Sequence, residues 1–377
     1  MKFKMRIAVA LGLLASTSVA TAETRLTASM WASPTHILTI DNYINFTKSV
    51  EEASGGDLVF DLYIGGSLLP ANGTLSGVRD GVADVGSIIG AYTPADLPLS
   101  NVLNDASLIV SDTMAAAFAL AELSFNNEHL QGEWNGNGVI YGGAYSTPPY
   151  IFACVPTVHE VADLKGLKVR TAAGSHVEFM KFTGAVPVSV PITEVYTGLE
   201  RGSIDCVMTD ATNLSTGYKL WEVAKTITLL PMGTHTSGAA WAYNQNSWRS
   251  LTPAQRRRLL DQMALAMVRC QLDYDGQEAT AYEGSWERNL AKVEPGESLK
   301  KAFADFKTSY IANLAASSAK GRGVSAATAQ SLIDNFEAGY KRWEGLLSNV
   351  DRKDEAALVE LLKSEVYNKV DENAYGL

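Results

Sequence analysis

Arg170 is the residue whose type and position most clearly indicate binding chemistry. It ends a short apolar strand predicted after the turn at residues 161–166, and small residues at 171–174 separate it from a helix predicted near Ser175. Ligands of open α/β sheets bind at the carboxyl ends of strands, where this side chain would lie. A guanidinium holds a carboxylate through two parallel charge-assisted hydrogen bonds. Because most arginines are simply exposed, position alone leaves that alternative open.

Motifs of the common enzyme classes are missing from the sequence. The histidines never recur at the three-to-five-residue spacing of a helical metal site, and no Cys-x-x-Cys, dinucleotide fingerprint, nucleophile elbow or Walker lysine occurs. We therefore expect no enzyme activity, no cofactor and no metal site. A dispersed triad is the alternative, in which a hydrolase or isomerase acting on a carboxylated substrate would use Asp210 or His176 beside Arg170.

Apolar strands alternate with helices in the first part of the chain. Alternating residues predict strands at 25–30, 58–64 and 85–89, with one helix after the first strand and another at residues 72–80. Strands separated by helices of this length are typical of βαβ units and a mostly parallel sheet. The sequence therefore predicts an α/β fold.

A short pattern occurs twice, as Gly77-Val-Arg-Asp-Gly81-Val-Ala-Asp84 and as Gly198-Leu-Glu-Arg-Gly202-Ser-Ile-Asp205. Each copy is typical of a short helix, a glycine in the left-handed conformation after it, and an aspartate that leads into an apolar strand. Such a loose pattern also arises by chance, but the preceding helix and the following strand repeat with it. We therefore predict two lobes built on the same plan.

Two segments are expected to cross between the lobes, and helices are expected to follow. The Gly- and Pro-containing apolar stretch 138–154 suits one crossing, and residues 231–241 suit the other. Apolar residues recur at helical spacing in 247–280 and 295–362. These C-terminal helices would either brace the two lobes or form a homodimer, and the sequence does not decide between them.

Composition and charge exclude several classes of protein. The chain has 377 residues, 46% of them hydrophobic and 19% charged, which is typical of a globular protein with more than one domain. Its formal charge of −10 makes nucleic acid and anionic membrane surfaces poor partners. An anionic ligand would therefore depend on a local cation such as Arg170.

The N-terminus has the pattern of a secretory signal peptide. Lys2, Lys4 and Arg6 precede an apolar run that is too short to span a bilayer, and small residues place the cleavage site after Ala22. Cleavage would remove three basic residues and no acidic one, which takes the formal charge from −10 to −13. We expect an exported protein, with an uncleaved anchor as the alternative.

The three cysteines are widely spaced and odd in number, which indicates no disulfide framework. We expect Cys154, Cys206 and Cys270 to be buried as small apolar residues. Because export permits disulfides, a bridge between Cys154 and Cys206 is the alternative.

Several segments in order resemble the substrate-binding proteins of tripartite ATP-independent periplasmic (TRAP) transporters, of the dicarboxylate-binding type. The resemblance covers essentially the whole chain after the signal peptide. Its motifs are Leu164-Lys-Gly-Leu-Lys-Val-Arg170, Val186-Pro-Val-Ser-Val-Pro191, Glu194-Val-Tyr-Thr-Gly-Leu-Glu-Arg-Gly-Ser-Ile-Asp205, Ser29-Met-Trp31 with His36, and Asn244 with Trp248 and Leu251.

This resemblance implies a two-lobed periplasmic binding protein fold, in which each lobe is a mostly parallel sheet flanked by helices and long C-terminal helices follow. Residues 23–147 plus 237–280 would form the first lobe, and residues 148–236 plus 281–377 the second lobe with the C-terminal helices. The implied function is to close on an organic acid in the periplasm and to deliver it to a membrane permease driven by an ion gradient.

The resemblance also implies particular site residues. The carboxylate-binding arginine of the family falls on Arg170. An amide that often assists it is replaced by Thr209, whose hydroxyl can still donate one hydrogen bond. A family position in the crossing strand, often a second arginine or a polar group, falls near Tyr150. A position after the third strand falls near Ile89, with Tyr92 close behind.

These departures favour a particular ligand. The second cation is lost, and Trp31, Tyr92 and Tyr150 offer rings against which an apolar or aromatic body can pack, although ordinary core packing is the alternative for each ring. We therefore predict a monocarboxylate, such as an aromatic, keto or hydroxy acid, rather than a C4-dicarboxylate. A zwitterion is a further alternative.

Three polar residues complete the predicted site. Asp210, if it faces the pocket, would accept a hydrogen bond from a hydroxyl or ammonium group of the ligand. His235 and Asn213 lie near the second crossing and are further candidates for ligand contacts.

Overall fold

Two sheets, each flanked by helices, organise the part of the chain that the computed structural model describes, residues 23–377. The predicted signal peptide, residues 1–22, lies outside the described residues. The strands are β1 (Thr24–Ser29), β2 (Leu58–Tyr63), β3 (Val85–Ile88), β4 (Val139–Gly143), β5 (Ile151–Cys154), β6 (Lys168–Arg170), β7 (Val186–Val188), β8 (Cys206–Thr209), β9 (Thr226–Thr228), β10 (Ala239–Asn244) and β11 (Ala291–Val293).

Helices separate and follow these strands. They are α1 (Ile37–Thr39), α2 (Phe46–Ser54), α3 (Thr74–Arg79), α4 (Pro98–Asp105), α5 (Thr113–Asn126), α6 (Glu128–Gly136), α7 (Gly174–Thr183), α8 (Val195–Glu200), α9 (Gln245–Ser250), α10 (Pro253–Glu287), α11 (Glu297–Ala312), α12 (Leu314–Ala319), α13 (Ala326–Leu347) and α14 (Glu355–Glu365). A π-helical segment, Ile40–Asn45, joins α1 to α2.

Both sheets follow one strand plan. The first has the order β2-β1-β3-β10-β4, and the second has the order β7-β6-β8-β5-β9-β11. In each sheet a single strand, β10 or β5, runs antiparallel to both of its neighbours, and the other pairs are parallel. The predicted α/β fold with two mostly parallel sheets on the same plan is therefore confirmed.

The repeated glycine and aspartate pattern has the same structure in both sheets. Gly81 and Gly202 have φ angles of 77° and 70°, the left-handed conformation that the pattern predicts. Asp84 and Asp205 each accept a hydrogen bond from a backbone N–H of the neighbouring strand, β1 or β6, at 2.7 and 2.8 Å. The two aspartates thus hold the start of β3 against β1 and the start of β8 against β6.

Within residues 23–377 the chain passes between the sheets three times, at the two predicted crossings and again through α9 and α10, which lead from β10 in the first sheet to β11 in the second. Residues 144–150 lead from β4 in the first sheet to β5 in the second, and residues 229–238 lead back from β9 to β10. The two connections are bonded to each other, because the N–H of Thr147 donates to the carbonyl of His235 at 3.1 Å and the N–H of His235 donates to Oγ1 of Thr147 at 3.1 Å.

A disulfide joins Cys154 and Cys206, which corrects the expectation that these cysteines are unpaired apolar residues. The two residues are direct partners in the antiparallel pair β5–β8, and their Cα atoms are 4.1 Å apart. Pairing of strands that are distant in sequence brings the thiols together, which the spacing along the chain could not indicate. Cys270, in α10, is buried and free.

The C-terminal helices pack on several parts of the molecule, α12 and α13 on helices that precede the first crossing, α11 on α7 and α14 on α10. Helix α13 lies against α4 and α5, and Nε1 of Trp343 donates to Oε2 of Glu122 at 2.8 Å. The expected grouping placed residues 281–377 with the second lobe. That grouping stays a prediction: β11 and α11 pack with the second sheet, whereas the apolar stripe of α13 meets α5, which is buried along most of its length. A homodimer through these helices stays a prediction.

Helix α10 is the long element that contacts both halves of the molecule. It begins with a capping box in which Oγ1 of Thr252 accepts from the N–H of Gln255 at 3.2 Å, and Pro253 occupies its first turn. It packs on α2 beside the first sheet and on the 3₁₀-helix Ala211–Leu214 beside the second. Within residues 23–377, no helix combines the length and the apolar character needed to span a bilayer.

Candidate functional site

A cavity lies between the two sheets, near the carboxyl ends of β1, β3, β6 and β8. Its free volume is about 30 Å³, far below the roughly 300–1,000 Å³ of ligand pockets, so its walls must move apart to admit a ligand. Its walls come from the loops after these strands, from both crossings and from α10. The lining residues are Trp31, His36, Leu38, Ile89, Tyr92, Tyr145, Thr147, Tyr150, Arg170, Ala172, Ile192, Asp210, Asn213, His235 and Tyr274.

Arg170 ends β6 and is 1% exposed. Its Nε donates to the carbonyl of Val190 at 3.0 Å, Nη1 to the carbonyl of Met208 at 3.4 Å, and Nη2 to the hydroxyl of Tyr92 at 3.2 Å. A guanidinium has five N–H groups, so one remains on each Nη nitrogen. None of its contacts within residues 23–377 is with a carboxylate. A buried cation without a counter-ion is costly, so the site favours the entry of an anion.

Hydrogen bonds across the cavity join the loops of the two sheets. The hydroxyl of Tyr92, after β3, accepts from Nη2 of Arg170 and, at 3.1 Å, from the N–H of Ile192, which follows β7. Oγ of Ser33, after β1, donates to the carbonyl of Gly217, after β8, at 2.7 Å. The structure is therefore a closed arrangement, in which loops of both sheets meet over the cavity.

Aromatic rings form much of the cavity wall. The indole of Trp31 is fixed because its Nε1 donates to the carbonyl of Ser87 at 2.9 Å, and its ring meets Tyr92 edge-on with centroids 5.7 Å apart. Burial raises the pKa of Tyr145, Tyr150 and Tyr274, so all three hydroxyls stay protonated. The lining aromatic residues are Trp31, Tyr92, Tyr145, Tyr150 and Tyr274.

Asp210 is a buried carboxyl group at the start of the 3₁₀-helix after β8. Its Oδ1 accepts from the N–H of Thr212 at 3.0 Å, and its Oδ2 accepts from Nδ2 of Asn213 at 2.7 Å. Burial raises the pKa of Asp210 to about 6, and hydrogen bonds from Thr212 and Asn213 oppose the rise. A carboxylate has room for a further donor, which a hydroxyl or amine of a ligand would provide.

Two histidines line the cavity, and burial keeps both neutral at pH 7. It lowers the pKa of His36 to about 4 and that of His235 to about 3, and the charge of Arg170 lowers the latter further. Nδ1 of His36 accepts from the N–H of Leu38 at 3.1 Å. Among residues 23–377, Arg170 is therefore the one cation of the lining. No group of three or more His, Cys, Asp or Glu within residues 23–377 is placed to hold a metal ion.

We expect His176, which lies behind Tyr150, to make stability depend on pH. Its Nε2 contacts the carbonyl of Met232 at 2.9 Å, its ring stacks on Tyr150 with centroids 5.4 Å apart, and burial lowers its pKa to about 4. The unfolded chain takes up this proton near pH 6.5 while the folded protein does not. Stability present above pH 6.5 is therefore lost as the pH falls towards 4.

Replacing His176 with phenylalanine removes this contribution. The free energy of unfolding of His176→Phe minus that of the wild type should therefore increase as the pH falls from 6.5 to 4, by up to about 1.4 kcal/mol for each pH unit. Urea unfolding of both proteins at pH 7.5, 6 and 5 measures it. Carboxyl groups common to both proteins cancel in the difference. A difference that is constant with pH would show that His176 is not held neutral by the fold.

The structure brings together seven of the eight residues predicted for the site. Thr209 is outside the lining, because its hydroxyl accepts from Nδ2 of Asn213 at 2.9 Å and so lies behind that residue. Sequence reasoning missed Tyr145, which lies in the first crossing, and Tyr274, which comes from α10. The Gly-rich composition of the first crossing could have indicated that Tyr145 lies near the cavity. No local sequence pattern indicates this for Tyr274. Ligand contact by each residue stays a prediction.

Comparisons with known proteins agree with this geometry. A family model, bacterial extracellular solute-binding protein, family 7 (DctP), matches residues 28–317. A solute-binding protein of Albidiferax ferrireducens is 29% identical over 206 residues, which cover 52% of this chain and 56% of that protein. The 2,3-diketo-L-gulonate-binding periplasmic protein of Escherichia coli is 31% identical over 186 residues, which cover 49% of this chain and 56% of that protein. The chain thus spans just over half the length of these curated relatives.

A solved structure gives the same architecture. A TRAP solute-binding protein from Rhodoferax ferrireducens, in complex with benzoate, superposes with a TM-score of 0.74 at 18% identity, covering 86% of this chain and 99% of that one. The fold thus matches over nearly the whole neighbour. Because the family model covers most of the sequence, the chain belongs to bacterial extracellular solute-binding protein family 7, the substrate-binding proteins of TRAP transporters.

Proposed function

We propose that this protein captures a monocarboxylic organic acid between its two sheets in the periplasm and delivers it to the membrane subunits of a TRAP permease. The observation that carries the proposal is the guanidinium of Arg170, which is 1% exposed and has no carboxylate among its partners in residues 23–377. An N–H group remains on each of its Nη nitrogens. A ligand carboxylate would supply both the missing charge and the acceptors.

The ligands of related proteins support a carboxylate as the common element. The relative from E. coli is named for 2,3-diketo-L-gulonate, and the neighbour from R. ferrireducens holds benzoate. One is a polar sugar acid and the other is an aromatic acid, so the carboxylate is the group that they share. The body of the ligand must then be selected by the rest of the cavity.

The cavity favours one carboxylate and not two. Arg170 is the single cation that the described part of the chain places in its lining, since His36 and His235 are neutral at pH 7, and Asp210 adds negative charge above its pKa of about 6. A second carboxylate would be buried without a counter-ion, which is costly. The aromatic rings around the cavity suit an apolar or aromatic body.

Closure links capture to delivery. A ligand that contacts both sheets favours the closed arrangement only by the difference between its affinities for the closed and open forms. Tyr92 reaches Arg170 from the opposite side of the cavity, so a carboxylate on Arg170 would lie where the sheets meet. We propose that the permease recognises the closed form through surfaces of both lobes. Cleavage of the signal peptide after Ala22 is part of the same proposal.

The hydrolase or isomerase alternative has no support in the site. The family consists of receptors for transport and not of enzymes. Both carboxyl oxygens of Asp210 accept hydrogen bonds within the chain, and Nε2 of His176 contacts the carbonyl of Met232. His176 is stacked on Tyr150 and is not among the residues that line the cavity, and Asp210 is held by these hydrogen bonds, so neither is placed as a general base beside Arg170.

Thermal unfolding against matched pairs of ligands tests the proposal. Each monocarboxylic acid is paired with its uncharged primary amide, and dicarboxylates of similar size are included. A bound acid at about 100 times its Kd should stabilise the protein by roughly 2.7 kcal/mol, enough for a melting-temperature rise of a few degrees. We expect shifts from monocarboxylates and none from their amides. Equal shifts from acids and amides, or none from any acid, would refute the proposal.

A further inference from the structure

His235 has a buried side chain whose polar atoms are left without partners. It lines the cavity and is 3% exposed, yet neither of its ring nitrogens has a hydrogen-bond partner in residues 23–377. Its ring lies 5.8 Å from that of Tyr145, which also faces the cavity. Leaving a buried polar atom unpaired destabilises a fold, so such atoms require an explanation.

Packing does not require a histidine at this position. The backbone of His235 is already tied to Thr147 by two hydrogen bonds, one donated and one accepted. The segment also approaches the first sheet closely, because a Cβ atom on Gly238 would lie 2.1 Å from the carbonyl oxygen of Ile88. The side chain is thus presented to the cavity from a fixed backbone, and an apolar ring could occupy the same place without unpaired nitrogens.

The chemistry of the ring limits what can bind it. A neutral imidazole offers one N–H donor and one acceptor nitrogen. A hydroxyl group can bond to either nitrogen, and an oxo group can accept from the N–H. A second carboxylate is a poor partner, because it would be buried beside an uncharged ring. Arg170 lines the same cavity, so one small ligand that enters between the two sheets would contact both residues.

We infer that His235 recognises a hydroxyl or oxo oxygen on the acid whose carboxylate binds Arg170. The inference rests on the proposed function and narrows the ligand to hydroxy- or oxo-substituted monocarboxylates. His235 then determines specificity, because an acid without this oxygen leaves the ring nitrogens unpaired in the closed protein.

Pairs of acids that differ only in this oxygen test the inference. Suitable probes are mandelate with phenylacetate, lactate with propionate, and phenylpyruvate with 3-phenylpropionate. For the pair that binds, we expect the wild type to prefer the oxygenated acid by about tenfold or more. In His235→Phe the preference should fall to within about twofold, mainly because the oxygenated acid binds less tightly. His129→Phe, at an exposed histidine, is the matched control and should keep the preference.

A second measurement does not depend on the folding of a variant. In the wild type, the ring ¹⁵N resonances of His235 should shift with the oxygenated acid more than with its plain analogue. If both acids bind equally to the wild type, or if His235→Phe keeps the preference, the inference is wrong while the proposed function stands. If no acid in the panel binds the wild type, both are wrong.

Discussion

Replacing Arg170 with methionine should weaken binding of a monocarboxylate by roughly 30-fold to 5,000-fold. This range corresponds to the loss of about 2–5 kcal/mol when one partner of a buried, hydrogen-bonded charge pair is removed. The cause is specific to the bound state, because the ligand carboxylate would then be buried with no counter-ion. Titration calorimetry with an acid identified in the thermal panel measures the change.

Two further variants separate the charge of Arg170 from its shape and its burial. Arg170→Lys keeps the charge but loses the planar fork, so it should bind more weakly than the wild type and more tightly than Arg170→Met. Arg256 is the matched control, since it is 4% exposed and also donates to backbone carbonyls, those of Leu251 and Glu372. Arg256→Met should lower stability and leave affinity unchanged. Affinity within threefold of the wild type in Arg170→Met would place the carboxylate elsewhere.

Removing the disulfide between Cys154 and Cys206 should lower the free energy of unfolding by about 4 kcal/mol. The bridge joins residues 52 apart, and closing a loop of this length removes entropy from the unfolded chain. The loop contains β6 and β7, so the effect concerns two of the six strands of the second sheet. Guanidinium unfolding of the double variant Cys154→Ala/Cys206→Ala measures it.

The remaining cysteine provides the control for that experiment. Cys270→Ala removes one buried thiol from α10 and changes no cross-link, so it should cost much less than the double variant. A double variant no less stable than Cys270→Ala would show that the bridge does not constrain the unfolded chain. The same result would follow if the thiols were reduced in the purified protein, which thiol titration under denaturing conditions checks.

Local patterns in the sequence predicted much of the fold. The second strand, expected at residues 58–64, is observed as Leu58–Tyr63, and the glycines of the repeated pattern, Gly81 and Gly202, are left-handed as expected. These features depend on neighbouring residues, so periodicity and glycine placement are enough to locate them. The cystine was predicted only as an alternative, because it depends on β5 pairing with β8 and nothing local encodes that neighbour.

Some residues of the candidate site could likewise be predicted from local patterns, and others could not. Arg170 is the last residue of β6 and Asp210 is the first residue after β8, so the strand pattern is enough to place both at the cavity. Tyr274 comes from the middle of α10, which reaches the cavity by packing on residues 211–214. Thr209 was expected to contact the ligand because it aligns with a family amide. Its side chain instead supports Asn213, and orientation at a strand end depends on neighbours that an alignment does not contain.

The order of strands in the first sheet also has a consequence for synthesis. β10 lies between β3 and β4, yet about 150 residues, including most of the second sheet, separate the end of β3 from β10. At roughly 5–20 residues per second, β3 waits about 8–30 s for its neighbour to be translated. Until then β3 and β4 each present an open strand edge, which invites pairing with other chains. The first sheet therefore completes only after most of the second has been made, and a chaperone that holds the growing chain unfolded would protect the open strand edges during this interval.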